Sequence, residues 1–254
     1  MKVKGKVTVI TGAAGGIGAA TGRKFAQEGA RGVVVADLDR GRLEGVAKEI
    51  DGLAVTCDVT KEGDIQRLIK EAEAKYGPVD VFFSNAGIAL AGQQEASDEI
   101  WEKSWGVHVL SHVYACRVLV PQMLKRGSGY LLSTASAAGL LSSISSAPYT
   151  VTKHAAVALA EQMAIQYGDK GIKISVLCPQ AVDTNMLRSI TATSARVDGV
   201  VSPETVADCI VEAMDKEQFL ILPHPVVLDY VRRKTSDWDR WLKGMQRLRD
   251  KIGG

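Results

Sequence analysis

The sequence predicts an α/β fold, a doubly wound parallel sheet with helices on both faces. Three observations lead there. Short β-branched runs alternate with longer helix-period segments as far as residue 222. Several of those runs are apolar almost throughout, as strands are when helices cover both faces of a parallel sheet. A glycine-rich turn joins the first run to the first helical segment.

Taken in order, Val7–Ile10, Val33–Ala36, Leu53–Cys57, Val79–Phe83, Tyr130–Ser133, Lys173–Leu177 and Phe219–Leu222 read as strands. Between them Ile17–Glu28, Arg42–Ile50 and Asp64–Tyr76 carry apolar residues at helical spacing. Strand–helix–strand repetition implies right-handed crossovers. No Pro/Gly/Ser-rich linker interrupts the pattern, so residues 1–254 read as a single domain. The Ser-rich stretch Ser142–Ser146 is a loop between a strand and a helix.

Composition excludes several classes. Of 254 residues, 46% are hydrophobic and 24% charged, which suits a folded globular chain. A net charge of +2 gives no global field that would draw nucleic acid or a membrane. Cys57, Cys116, Cys178 and Cys209 are widely spaced with no C-x-x-C, the pattern of reduced thiols in the cytoplasm. The basic start resembles a weak signal peptide, but its apolar run is only Val7 to Ile10. That run reads as the first strand.

Thr11-Gly12-Ala13-Ala14-Gly15-Gly16-Ile17-Gly18 follows the first strand and opens a helix. Gly12 suits a tight turn, Gly16 lets backbone approach a pyrophosphate, and Gly18 permits close helix–strand packing. The N–H groups at the helix start, Ile17 included, would then face the phosphates of a dinucleotide. Asp37 ends the second strand, where a carboxylate can accept from ribose hydroxyls and repel a 2′-phosphate. NAD is therefore expected over NADP, with Arg40 as the nearest cation; the competing reading makes Asp37 a helix cap. Asp58, past the third strand, could accept from an adenine amino group or cap the next helix.

Tyr149 and Lys153 stand four apart in YTVTK, one turn apart on one helix face. A free phenol, with a pKa of ~10, is a poor base at neutral pH. A neighbouring ammonium stabilises the phenolate. Alone, such a pair equally describes a solvated helix face. Ser136 lies upstream, after a strand.

With these motifs in this order, together with Asn85-Ala86-Gly87, the chain resembles the short-chain dehydrogenase/reductase family through residue 222. The resemblance implies a Rossmann-type, seven-stranded, three-layer αβα fold and a homodimer or homotetramer. It implies that Tyr149 exchanges a proton with the substrate oxygen while Ser136 hydrogen-bonds that oxygen. Lys153 would bind the nicotinamide ribose and depress the Tyr149 pKa. Asn85 and Gly87 would border the adenosine half, and Thr184, in CPQAVDT, would hold the carboxamide. Without the resemblance, Asn85-Ala86-Gly87 is only a strand-ending turn.

Two positions depart from the family pattern. His108 stands where an asparagine is general, supporting a helix kink and a water that links Lys153 to solvent. A neutral histidine can donate one bond and accept one, and so could substitute or titrate; it could equally be a satisfied core residue. Gln180 replaces a usual glycine and adds an amide near the nicotinamide or the substrate carbonyl.

By resemblance, residues 185–201 form a substrate lid. Met186, Leu187 and Ile190, with Leu140, Leu141 and Ile144 opposite, suggest an apolar pocket for a neutral secondary alcohol or ketone. Arg188 is the one candidate carboxylate clamp. Residues 226–254 form a helical extension with Trp238, Trp241, Leu242, Met245, Leu248 and Ile252 at helical spacing. Such a stripe packs on its own protein or a subunit more often than on a membrane. His224 has no second histidine near enough to suggest a metal pair. A nucleotide-binding redox sensor or scaffold with little turnover is the alternative to an active enzyme.

Overall fold

The computed structural model describes residues 1–189 and 194–252, without the side chains of Ser194 and Ile252. Its first half runs β1 (Val7–Thr11), α1 (Gly16–Gln27), β2 (Gly32–Asp37), α2 (Arg40–Glu49), β3 (Leu53–Thr56), α3 (Glu62–Tyr76) and β4 (Val81–Ser84). Helices α4 (Asp98–Trp105) and α5 (Ser111–Arg126) follow as one rod, joined by a π-turn at Gly106–Leu110. Then come β5 (Gly129–Thr134), α6 (Ala147–Tyr167), β6 (Ile172–Leu177), α7 (Asn185–Arg188) and α8 (Pro203–Asp215). The chain continues through β7 (Leu220–Ile221), α9 (Val226–Ser236) and α10 (Trp238–Ile252).

All seven strands pair in parallel, in the order β3-β2-β1-β4-β5-β6-β7. Strand pleating explains the unbroken apolar runs, because successive side chains enter different layers. Val7 and Val9 pack with Ile65 and Leu68 of α3 and Leu119 of α5. Their neighbour Ile10 joins Phe25 of α1 and Ile210 of α8 on the other face. Phe82 and Phe83 divide between the layers in the same way. Full burial of such a side chain is worth about 1.5–3 kcal/mol.

The order reverses between β1 and β4. Their carboxyl ends, with that of β5, therefore open onto the crevice where doubly wound sheets take ligands. The strands expected from sequence are all present, displaced by one or two residues. The seventh shrinks to an edge pair whose register with β6 is Val176↔Leu220 and Leu177↔Ile221.

Candidate active site

The glycine turn is shaped by its neighbours. Gly12 has φ +65°, and a Cβ there would lie 2.7 Å from the Ala86 Cα. A side chain at Gly18 would run into the Gly12 carbonyl and the Asn85 amide. Gly16, at φ +52°, would put a Cβ 2.9 Å from the Thr184 methyl, so the turn passes directly beneath Thr184. Gly15 faces open space, and α1 has no side-chain cap and no acidic residue in its first turn. Its unpaired N–H groups and positive dipole end are left for a ligand.

Asn85 locks this turn rather than ending a strand loosely. Its Nδ2 donates to the carbonyls of Thr11 (3.1 Å) and Gly12 (3.2 Å), and its Oδ1 accepts from the Thr134 hydroxyl at 3.0 Å. The Thr11 hydroxyl in turn accepts from the N–H groups of Asn85 and Ala86. One amide thus ties β1, β4 and β5 together at their carboxyl ends.

At the other end of the cavity, Asp37 accepts from the N–H groups of Ala14 (3.0 Å), Leu38 and Asp39. Asp37 lines the cavity, and the cap of α2 is Asp39, which accepts from the Arg42 N–H. The capping alternative for Asp37 is thereby removed. Arg40 pairs with Glu44 on the exposed face; beside Asp37 it is Arg42, paired with Asp39, that lines the cavity. Asp58 is not among the lining residues, and its carboxylate accepts from the Thr60 N–H and hydroxyl and pairs with Lys61.

Tyr149 is placed by a helix cap. Ser146 accepts from the Tyr149 N–H at 3.2 Å while its hydroxyl donates to the Leu90 carbonyl, and Pro148 stiffens the first turn. Ser136 leads out of β5, its hydroxyl accepting from the Ala138 N–H at 3.1 Å. Lys153 is buried, donates to the Thr134 carbonyl at 2.9 Å, and holds its Nζ 5.7 Å from the Tyr149 ring centre. Gly87, Ser136, Tyr149, Lys153 and Thr184 all line one cavity of about 1010 Å³.

One expected effect has the opposite sign here. Burial raises the Tyr149 phenol above its ordinary value, and interaction with the Ser136 hydroxyl only partly offsets this. Burial also brings Lys153 down to about 8, so its ammonium is held less firmly than a surface lysine's. Burial and the Ser136 hydroxyl set this direction, and the Lys153 effect implied by the resemblance is not among its causes.

His108 sits inside the π-turn, fully buried. Its Nε2 accepts from the Ile88 N–H at 3.1 Å, which leaves Nδ1 to donate to the Thr152 hydroxyl at 2.8 Å. That hydroxyl passes its own hydrogen to the Pro148 carbonyl at 2.7 Å. The ring is a neutral tautomer with both nitrogens satisfied, and burial pushes it down to about 2. It does not titrate at working pH, and the helix kink is present with histidine in place of asparagine.

Several pocket expectations change. Arg188 pairs with Asp183 at the surface and is no clamp. Met186, Leu187 and Leu141 line the cavity, whereas Leu140 packs towards Val227 and Ile144 is not in the lining. Ile190 lies outside the described residues. Gln180 donates through Nε2 to Asp198 (3.0 Å), which also accepts from the Tyr230 hydroxyl (2.9 Å). Asp198 therefore joins Gln180, on the loop after β6, to Tyr230 of α9. The Gln180 Oε1 is buried without a partner among the described residues. The sequence reading also missed that Trp241, Met245 and Leu248 of α10 face the cavity, because an amphipathic stripe does not reveal what it covers.

A profile of the short chain dehydrogenase family matches residues 6–195. The chain is 36% identical over 231 residues to 1-deoxy-11-beta-hydroxypentalenate dehydrogenase of Streptomyces exfoliatus, covering 87% of this chain and 84% of the relative. It is 32% identical over 239 residues to the mitochondrial borneol dehydrogenase of Lavandula x intermedia, covering 90% of each. Among solved structures, a short chain dehydrogenase/reductase from Burkholderia phymatum in complex with NAD superposes with TM-score 0.85 at 31% identity, over 94% of this chain and 96% of that one.

The fold and site define a nucleotide-dependent oxidoreductase of alcohol and carbonyl groups. The chain belongs to the short-chain dehydrogenase/reductase family. A nicotinamide dinucleotide fits the cradle: the turn beneath Thr184 is too close for any side chain, and the space before Gly15 is open. Among the described residues no cluster of metal ligands occurs, and no helix is long and apolar enough to cross a membrane.

Proposed function

We propose that the chain interconverts a secondary alcohol and a ketone with NAD(H), using Tyr149 as general acid/base. The observation that carries this reading is the convergence of Ser136, Tyr149 and Lys153 with the glycine turn and Thr184 in one cavity. Asp37 and Thr184 would hold the two ends of the dinucleotide, which would supply or take the hydride. Gly12, Gly16, Ile17 and Gly18 admit its phosphates, Asn85 and Gly87 border it, and Lys153 meets its nicotinamide ribose. Asp58 stays a weaker candidate for the adenine. In reduction Tyr149 gives its phenolic proton to the carbonyl oxygen while Ser136 hydrogen-bonds the same oxygen. In oxidation the phenolate accepts the alcohol proton, and the Lys153 ammonium lowers the cost of that charge. His108 positions Tyr149.

NAD is favoured over NADP because Asp37 presents its carboxylate to the cavity and Arg42 is already paired with Asp39. Leu141, Met186, Leu187 and Val197 support an apolar substrate that is neutral at its reacting end, with residues 185–201 as lid and 226–254 as a second wall. Two similar proteins are named for dehydrogenation of pentalenate and borneol skeletons, in keeping with such a frame. Free cysteines suit the cytoplasm, and exposed Val151 and Ile165 on α6 suit a homodimer or homotetramer.

The test is a panel of apolar secondary alcohols mixed with NAD+ while NADH absorbance is followed. Turnover of at least one is expected. NADH binding without turnover of any alcohol or ketone returns the chain to the sensor or scaffold alternative.

A further inference from the structure

The cavity has a cationic end that the reaction does not use. Arg240 and Arg247 stand seven apart on α10, two turns along the edge of the Trp241–Met245–Leu248 stripe, and both line the cavity with Arg233 of α9. A Cβ on Gly244 would lie 3.8 Å from an Arg247 Nη, so that guanidinium folds back over a cavity-lining glycine.

None of the three arginines takes part in an ion pair among the described residues. Of the carboxylates near them, Asp229 pairs with Arg232, Asp250 pairs with Arg249, and Asp237 accepts from the backbone N–H of Arg240. The acidic lining residue at this end, Asp198, already receives the Tyr230 hydroxyl and the Gln180 amide. Asp37 and Asp39 belong to the opposite, adenosine end. The arginines are anchored relative to Tyr149 because Lys234 donates to the Leu140 carbonyl at 2.7 Å, fixing α9 against the loop that follows Ser136. Unpaired guanidinium groups at an apolar cavity are suited to carboxylate or phosphate, which they bind with charge-assisted bonds.

We infer that the substrate is an amphiphile whose apolar frame separates the reacting carbon from a carboxylate or phosphate held by Arg233, Arg240 and Arg247. This deepens, and rests on, the reading of the same cavity as the site of an alcohol dehydrogenase.

The test compares three secondary alcohols of equal length: 10-hydroxyundecanoate, its methyl ester, and the monophosphate of undecane-1,10-diol. Each is measured for kcat/KM with NAD+ and for affinity to the NADH-loaded protein by calorimetry, at low and high salt. At least one anion should exceed the ester tenfold or more by calorimetry, mainly through KM in turnover, and salt should erode the difference. Comparing the two anions separates a carboxylate site from a phosphate site. In Arg240→Ala/Arg247→Ala and in Arg233→Ala the anion-to-ester ratio should fall towards one, with lysine at 240 and 247 restoring part of it. Equal affinity of anions and ester, including no binding of either, overturns the proposal, as does a preference that survives all three substitutions. If no alcohol turns over, the dehydrogenase reading fails while calorimetry still decides the anion site.

Discussion

His108 meets the ring of Tyr149 edge-on, centroids 5.5 Å apart and planes at 89°. The same imidazole bonds Ile88 on one side and Thr152 on the other, so it clamps the loop after β4 to the helix that carries Tyr149. His108→Leu leaves the part-buried Ile88 N–H and the buried Thr152 hydroxyl without this partner, at a cost of about 1 kcal/mol or more. It should also lower kcat more than it raises KM. His108→Asn, which can still accept and donate, should recover most of both. Urea denaturation and steady-state kinetics of the two variants check this; equal damage in both would remove the clamp.

Protonation sets a limit at low pH. Burial holds His108 at about 2 and His112 at about 3, with the Lys153 charge adding to both, against 6.5 for the unfolded chain. The unfolded state therefore binds more protons from pH 6.5 down to about 3. Stability contributed by the neutral rings is complete above 6.5 and is lost as pH falls. The slope approaches about 1.4 kcal/mol per pH unit for each histidine. His112 Nε2 has no partner among the described residues, so His112→Leu should lower the slope between pH 6 and 4.5 by about 1 kcal/mol per pH unit at little cost. Denaturation midpoints across that range measure it, and an unchanged slope contradicts the assignment.

Asp37 should govern cofactor choice. Asp37→Ser removes the charge that repels a 2′-phosphate and leaves the Ala14 N–H a weaker acceptor. The NAD+/NADP+ ratio of kcat/KM should fall at least tenfold, which corresponds to about 1.4 kcal/mol. An unchanged ratio places discrimination elsewhere, with Arg42 the first residue to examine.

What could be read from sequence was local. Strand runs such as Val33–Ala36 and the glycine turn carry their own signal, because burial on both faces and positive φ are written in residue type. The Asn85 bridge among β1, β4 and β5 joins positions 74 residues apart, and no local pattern records it. The sign of the Tyr149 shift depends on burial, which spacing to Lys153 does not report. Nothing in the sequence sets Arg240 and Arg247 apart from other basic residues of residues 226–254; only the placement of α10 brings them to the cavity. Gln180 is a visible departure from the family pattern, but its partner Asp198 lies 18 residues away and no local signal joins them.

The role of Tyr149 is tested most directly by Tyr149→Phe, which keeps the ring against His108 and removes only the hydroxyl. Single-turnover oxidation by the NAD+-loaded protein, beside NADH affinity from fluorescence titration, separates chemistry from binding. General acid/base catalysis predicts a loss of about 10²–10⁴ in the hydride-transfer rate with cofactor affinity little changed. A variant that transfers hydride at the parent rate would contradict it.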